Sequence, residues 1–296
     1  MNRRSFVSTL LLAAAAPTVV GQNLRRSRKK NTDPQATTRF IFSQAMRKAT
    51  LNQWQRRPIG DVMGEIGLLF LGTPYVGGTL EGPGPETCRI DLTGLDCVTF
   101  FENVLDMARI VKKSSPTFEA LIQEVTFTRY RSGTVNGYES RLHYTSEWIS
   151  DNVSKGVVAD VSRELGGIIF PLEVGFMSEN PRYYPALKNS PESVERMRQI
   201  EQAINATTRY YIPKDQIENI ESQLRTGDII AITTSKAGLD YSHTGMIRRD
   251  EQGRARFVHA SLTKKKVIID GTISEYVDGV RSHTGISVVR PLEPKI

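Results

Sequence analysis

Gly94-Leu95-Asp96-Cys97-Val98-Thr99-Phe100-Phe101-Glu102-Asn103-Val104-Leu105 is the stretch on which the reading of this chain turns. After Cys97 the apolar residues Phe101, Val104, Leu105, Ala108 and Val111 recur at helical spacing, which predicts a helix opening at the cysteine. Two caps are open to that helix: Thr93 with Asp96 three residues on, or Asp96 itself. Either one sets the sulfur where unpaired backbone N–H groups point outward, and the partial positive charge there favours thiolate over thiol. The plainer alternative is a buried cysteine serving as a small apolar side chain. What separates the two is whether the chain supplies chemical partners.

Candidates lie far downstream. From Leu224 the pattern turns to strands: Ile229–Thr233, Ser242–Ile247, Ala255–Ser261, Lys266–Ile269 and Ile286–Arg290. Short connections make an antiparallel sheet of about five strands, and helices followed by a meander predict an α+β fold. His243 and His259 fall on two successive strands joined by a turn at Asp250–Gly253, so the two imidazoles can be neighbours at one end of the sheet. A helix start bearing Cys97 can meet them there. A histidine beside a thiol takes its proton, and a third polar group on the far ring nitrogen fixes the tautomer. A zinc site from Cys97, His243 and His259 is the competing chemistry, but no close-spaced ligand pair supports it, so no metal and no cofactor is expected.

Upstream, Ile59–Phe70 places Ile59, Val62, Met63, Ile66, Leu69 and Phe70 on one face of an amphipathic helix, and a further helix is expected over Thr38–Trp54. The first ends in Gly72-Thr73-Pro74-Tyr75-Val76-Gly77-Gly78, a turn-forming loop that delivers Tyr75 toward the later elements. Between nucleophile and base, about 112–225, runs a long and mostly helical region. Ser115-Pro116 and Ser190-Pro191 start helices by the cap-then-proline rule, and a short helix is expected around Trp148.

In order along the chain, Gly72-Thr73-Pro74-Tyr75, Leu95-Asp96-Cys97, Gly227-Asp228, His243-Thr244-Gly245-Met246-Ile247 and Phe257-Val258-His259-Ala260-Ser261 resemble the motifs of the NlpC-type, papain-like cell-wall hydrolases. More narrowly, Gly94–Phe100, Ser140-Arg141-Leu142-His143-Tyr144 and Ser242-His243-Thr244-Gly245 are similar to the N-acetylmuramoyl-L-alanine amidase-like branch. The resemblance spans about residue 60 to the C-terminus. It implies a single papain-like catalytic domain over 38–296, with helices packed on the central sheet and 112–225 as an insertion. It makes Cys97 the nucleophile, His243 the general base and later acid, and His259 the residue orienting His243. The Cys97 N–H, with the Tyr75 hydroxyl, would hold the oxyanion. Asp96 and Ser242, flanking the nucleophile and the base, are further substrate or oxyanion candidates. So are Arg141 and His143 in the insertion, where Tyr144 and Trp148 offer flat rings for a sugar. One departure is Val98, which stands where many of the superfamily have serine. The implied substrate is a muropeptide, cut at the amide between N-acetylmuramic acid and L-alanine. The alternatives are an endopeptidase cutting after D-glutamate in the stem peptide, and a non-catalytic module that binds cell-wall peptides.

Composition limits the other classes. With 39% hydrophobic and 24% charged residues among 296, the balance is that of a globular chain. The formal charge of +7 raises nucleic acid as a partner, but Arg3, Arg4, Arg25, Arg26, Arg28, Lys29 and Lys30 account for it. Setting those seven aside leaves 32 bases against 32 acids, so no nucleic-acid partner is expected. Residues 1–21, with paired Arg3-Arg4 before an apolar run from Phe6 to Ala16, resemble a twin-arginine export signal. That run is too short to span a bilayer, so a periplasmic or extracellular protein without stable membrane insertion is expected. Residues 22–37 read as a flexible basic arm. Only Cys88 and Cys97 are present, which excludes a disulfide-rich scaffold.

Overall fold

The computed structural model describes residues 33–295. The export signal and residues 22–32 of the basic arm lie outside the described residues. The arm ends earlier than expected: Asp33 caps the first helix, accepting the Gln35 N–H at 3.0 Å, and Pro34 opens it with a preset φ. The helices are α1 (Pro34–Leu51), α2 (Ile59–Leu69), α3 (Cys97–Lys112), α4 (Phe118–Arg129), α5 (Thr145–Ser154), α6 (Phe176–Glu179), α7 (Pro191–Asn205), α8 (Ile217–Ile220) and α9 (Ile273–Asp278). The strands are β1 (Val158–Asp160), β2 (Ile168–Ile169), β3 (Tyr210–Pro213), β4 (Ile229–Thr234), β5 (Tyr241–Arg249), β6 (Ala255–Ser261), β7 (Lys266–Thr272) and β8 (His283–Pro291). Ser190 caps α7 ahead of Pro191 as its sequence predicts, whereas α4 starts two residues later than expected, capped by Thr117.

The antiparallel α+β architecture holds, but among the described residues the sheet has eight strands rather than about five. Its order is β2-β3-β8-β4-β5-β6-β7, with β1 also pairing β8, and every pairing is antiparallel. The three added strands all come from the region expected to be a helical insertion. That region is therefore not a separable appendage: β1 and β3 pair directly with β8.

Strand alternation sorts the sheet into two faces. Ile229, Ala231, Met246, Val258, Ala260 and Val267 point to one side and pack with α1 to α4. Ile230, Ile232, Ile247, Phe257, Ile286 and Val288 point to the other and pack with α8 and α9 through Ile217, Ile220, Ile273 and Val277. A third apolar cluster joins Met177 and Met197 of α6 and α7 to Tyr144. Helix α3 is the central spar, buried along nearly its whole length from Thr99 to Val111. No helix among the described residues is long and apolar enough to cross a membrane.

Candidate active site

Of the two caps open to α3, the molecule uses Asp96. Its Oδ1 accepts the N–H groups of Val98 at 3.1 Å and Thr99 at 2.8 Å, and the Thr99 hydroxyl returns to the Asp96 N–H at 2.9 Å, closing a capping box. Thr93 instead donates its hydroxyl to Asp91 at 2.6 Å. Cys97 is thus the first helical residue. The loop bearing Tyr75 is clipped beside it: Leu95 N–H donates to Pro74 O at 3.0 Å, Val76 N–H to Leu95 O at 3.1 Å, and Tyr75 N–H to Lys265 O at 2.9 Å. Gly94 permits this approach, since a Cβ there would lie 2.5 Å from Val76.

Strands β5 and β6 pair from Met246 to Arg249 against Val258 to Ala255, so the Tyr241–Gly245 end of β5 has no β6 partner. A register shift in the β4–β5 ladder falls at the same end, beside His243. In this opened end His243 Nε2 lies 2.7 Å from His259 Nδ1. His259 is fully buried, its ring stacked on Phe257 at 4.7 Å, and its Nε2 lies 3.4 Å from Asp270 Oδ2 at the end of β7. Gly245 leaves room for Phe257, whose ring a Cβ would meet at 2.6 Å. Cys97 meets β5 at Thr244, the residue after His243. The two histidines, each more than 140 residues from the cysteine in sequence, are gathered with it at one end of the sheet.

The electrostatics differ from the helix-start expectation. Burial pushes the Cys97 thiol up to about 11, the charge of Asp96 adds to the rise, and hydrogen bonds from Thr244 only partly offset it. Burial is the larger cause; Asp96, whose Oδ1 takes the Val98 and Thr99 N–H groups, then sets a negative charge beside the sulfur, while the Cys97 N–H stays free of the cap. Burial also pushes His243 down to about 3, with neighbouring His259 and His283 adding to the drop. His259 is lowered by burial and partly restored by Asp270. The resting pair is therefore a neutral thiol and a neutral imidazole, with Cys97 and His243 both partly exposed. Tyr75 is pushed up to about 12, first by burial and then by Cys97 and Asp96, which puts its hydroxyl in the field of the sulfur.

Other sequence candidates lie elsewhere. Arg141 is buried and paired with Glu81 and Glu86, so its cation is not free for a substrate carboxylate. His143 packs on Tyr138 at 4.3 Å and bonds its carbonyl through Nε2 at 2.9 Å. Tyr144 is buried with its hydroxyl on Glu201 at 2.7 Å, and Trp148 is buried edge-on to Phe101 at 5.0 Å. Neither ring offers a face to a sugar. The Ser242 hydroxyl faces the Ile232 carbonyl at 3.5 Å. Both cysteines are free, and Cys88 is turned toward the Ile122 carbonyl. Sequence reasoning missed Asp270, Thr244, His283 and Tyr276, whose ring on α9 lies 4.9 Å from His259, 5.9 Å from His243 and 5.8 Å from His283. A cavity of about 1050 Å³ between α5 and α7 includes none of the residues around Cys97.

A helix-start cysteine thus stands beside paired imidazoles at the open end of an antiparallel sheet in an α+β protein. Residues 65–286 match the model of the AmiA-like, N-acetylmuramoyl-L-alanine amidase-like family, and the chain belongs to that family. Its fold is similar to the crystal structure of an N-acetylmuramoyl-L-alanine amidase from Bacteroides uniformis. That match has a TM-score of 0.73 and 34% identity, and covers 79% of this chain and 99% of that one. A Bacteroides fragilis protein with the provisional name of a xylanase matches with a TM-score of 0.71 and 37% identity, over 76% of this chain and 98% of that one. Protein LPG0564 from Legionella pneumophila shares the fold at 21% identity and a TM-score of 0.67, over 87% and 95% of the two chains. No curated protein matches the chain.

Proposed function

We propose that this protein is an exported cysteine amidase that hydrolyses the bond between N-acetylmuramic acid and L-alanine in peptidoglycan fragments. The observation that carries the reading is the meeting of Cys97 with β5 beside His243, itself bonded to His259 at 2.7 Å, in a chain of the amidase-like family. Because the resting pair is neutral, His243 takes the thiol proton as Sγ attacks the amide carbonyl. The Tyr75 hydroxyl and the Cys97 N–H face the developing oxyanion. The imidazolium then gives its proton to the departing L-alanine amine. Water, deprotonated by the same His243, hydrolyses the thioester and releases the muramic acid carboxylate. The order of motifs also supports a kinship with the wider NlpC-type, papain-like group. A glycosidase reading, prompted by the xylanase name, lacks support because the site centres on a thiol and imidazoles rather than two facing carboxylates. With Tyr144 and Trp148 buried, the choice of bond rests on the family rather than on aromatic sugar contacts.

The test is digestion of defined muropeptides under reducing conditions, read by mass. Release of a peptide beginning with L-alanine, lost in Cys97→Ala, is expected. A product still carrying muramic acid on L-Ala-D-Glu would instead identify the endopeptidase, and retained binding without turnover a binding module.

A further inference from the structure

Asp270 stands two residues before the end of β7, eleven residues beyond His259, and no motif points to it. Its Oδ1 is fixed by the Gly271 N–H at 2.9 Å, which aims Oδ2 at His259 Nε2, 3.4 Å away. A carboxylate accepts hydrogen bonds and donates none, so the hydrogen on this contact belongs to His259 Nε2. A neutral imidazole carries one N–H, so His259 Nδ1 is then bare and can only accept. His243 Nε2, 2.7 Å away, must supply that hydrogen, which leaves His243 Nδ1 with its lone pair free.

We infer that Asp270 is a positioning residue that sets the tautomers of both imidazoles through this chain and keeps His243 Nδ1 available as the base. The role in catalysis rests on the proposed cysteine chemistry, whereas the tautomers do not. Groups reaching the chain from other elements do not replace Asp270. Tyr276 of α9 packs ring against ring on both histidines, Phe257 stacks on His259, and His283 of β8 reaches Tyr276. Cys97 of α3 approaches from the β5 side, and Arg256 donates to the Asp270 backbone carbonyl at 2.9 Å rather than to its carboxylate. His259 is fully buried, and the part-exposed Asp270 carboxylate is the partner that its Nε2 meets. When His243 gains the thiol proton, the Asp270 charge balances the imidazolium through the intervening ring.

Nitrogen-15 NMR of the histidines in the intact wild-type protein without substrate tests the chain. His259 and His243 each protonated at Nε2 is expected; His259 protonated at Nδ1 overturns the inference without recourse to any variant. In Asp270→Ala, kcat on muropeptide is expected to fall about 10- to 100-fold with KM within about two-fold. That loss is smaller than the roughly 10⁴-fold cost of disturbing an acid bonded directly to the base, because here a second ring intervenes. Asp270→Glu is expected to recover part of the rate and the wild-type tautomers. Unchanged kcat and unchanged tautomers in folded Asp270→Ala overturn the inference. If the wild-type protein leaves every muropeptide intact, the proposed function fails, while the wild-type spectrum still decides the role of Asp270.

Discussion

Helix α3 holds buried polar groups at two places, and it holds them differently. Along its body, Glu102 meets Arg129 at 2.8 Å, while Glu124 takes Arg109 and Lys113 on its two oxygens, each at 2.6 Å. Burial raises Glu102 and the adjacent guanidinium pulls it back, and Arg129 is held more firmly protonated, so the pair stays ionic. Asp106 has no cation of its own, and burial beside Glu124 and Glu102 drives it well above the carboxylate range, toward the neutral acid that Thr128 bonds at 2.9 Å. At the start of the same helix, Cys97 and His243 have no opposite charge in contact and go neutral for the same reason. A partner decides whether a buried group keeps its charge; a helix end alone does not, once its N–H groups are taken.

Three changes probe this contrast, in falling order of expected effect. Arg129→Met strands Glu102 and is expected to cost about 3–5 kcal/mol in urea unfolding, whereas pairing it with Glu102→Leu recovers most of the loss. A double variant no more stable than the single would show that Arg129 acts through packing alone. Next, the iodoacetamide labelling rate of Cys97 is expected to climb about ten-fold per pH unit toward its value near 11. A plateau below the ordinary thiol range of about 8.5 would mean that a thiolate–imidazolium pair is already present at rest. Last, Tyr75→Phe is expected to lower kcat about ten-fold with KM held, less than the roughly 10²- to 10³-fold cost of losing a fully enclosed oxyanion donor because Tyr75 is part-exposed, and an unchanged kcat would remove its hydroxyl from the reaction.

The helix at Cys97, the Ser190-Pro191 start and the two histidine strands were legible because each is local: a period, a cap or a hairpin. Strands β1, β2 and β3 were not, since two to four residues carry no alternation, and β1 and β3 pair with β8 at the far end of the chain while β2 pairs only with β3. Arg141 read equally as substrate contact or packing because its partner Glu81 lies 60 residues upstream. Tyr144 and Trp148 were aromatic on a short helix, and sequence does not say which way such rings face. Asp270 lies within β7 without a motif, and only the β6–β7 register of His259 with Ile268 brings it near. The helix-start argument for a thiolate left out the burial of the sulfur and, after it, the charge of the Asp96 cap.

The clip that ties Tyr75 to Leu95 and Lys265 divides the bracing around it in two. The loop that follows it, residues 77–91, is anchored to α4 and to the segment after it: Glu86 accepts the Tyr130 hydroxyl at 2.8 Å, and Arg89 O accepts Arg129 Nη1 at 2.6 Å. The segment carrying Cys97 instead is tied through the clip to the β6–β7 hairpin, whose second strand carries Asp270. Residues 77–91 and the end of α4 are therefore braced as one piece, and the segment carrying Cys97 and the β6–β7 hairpin as another, so a change in the loop can be absorbed without loosening the clip.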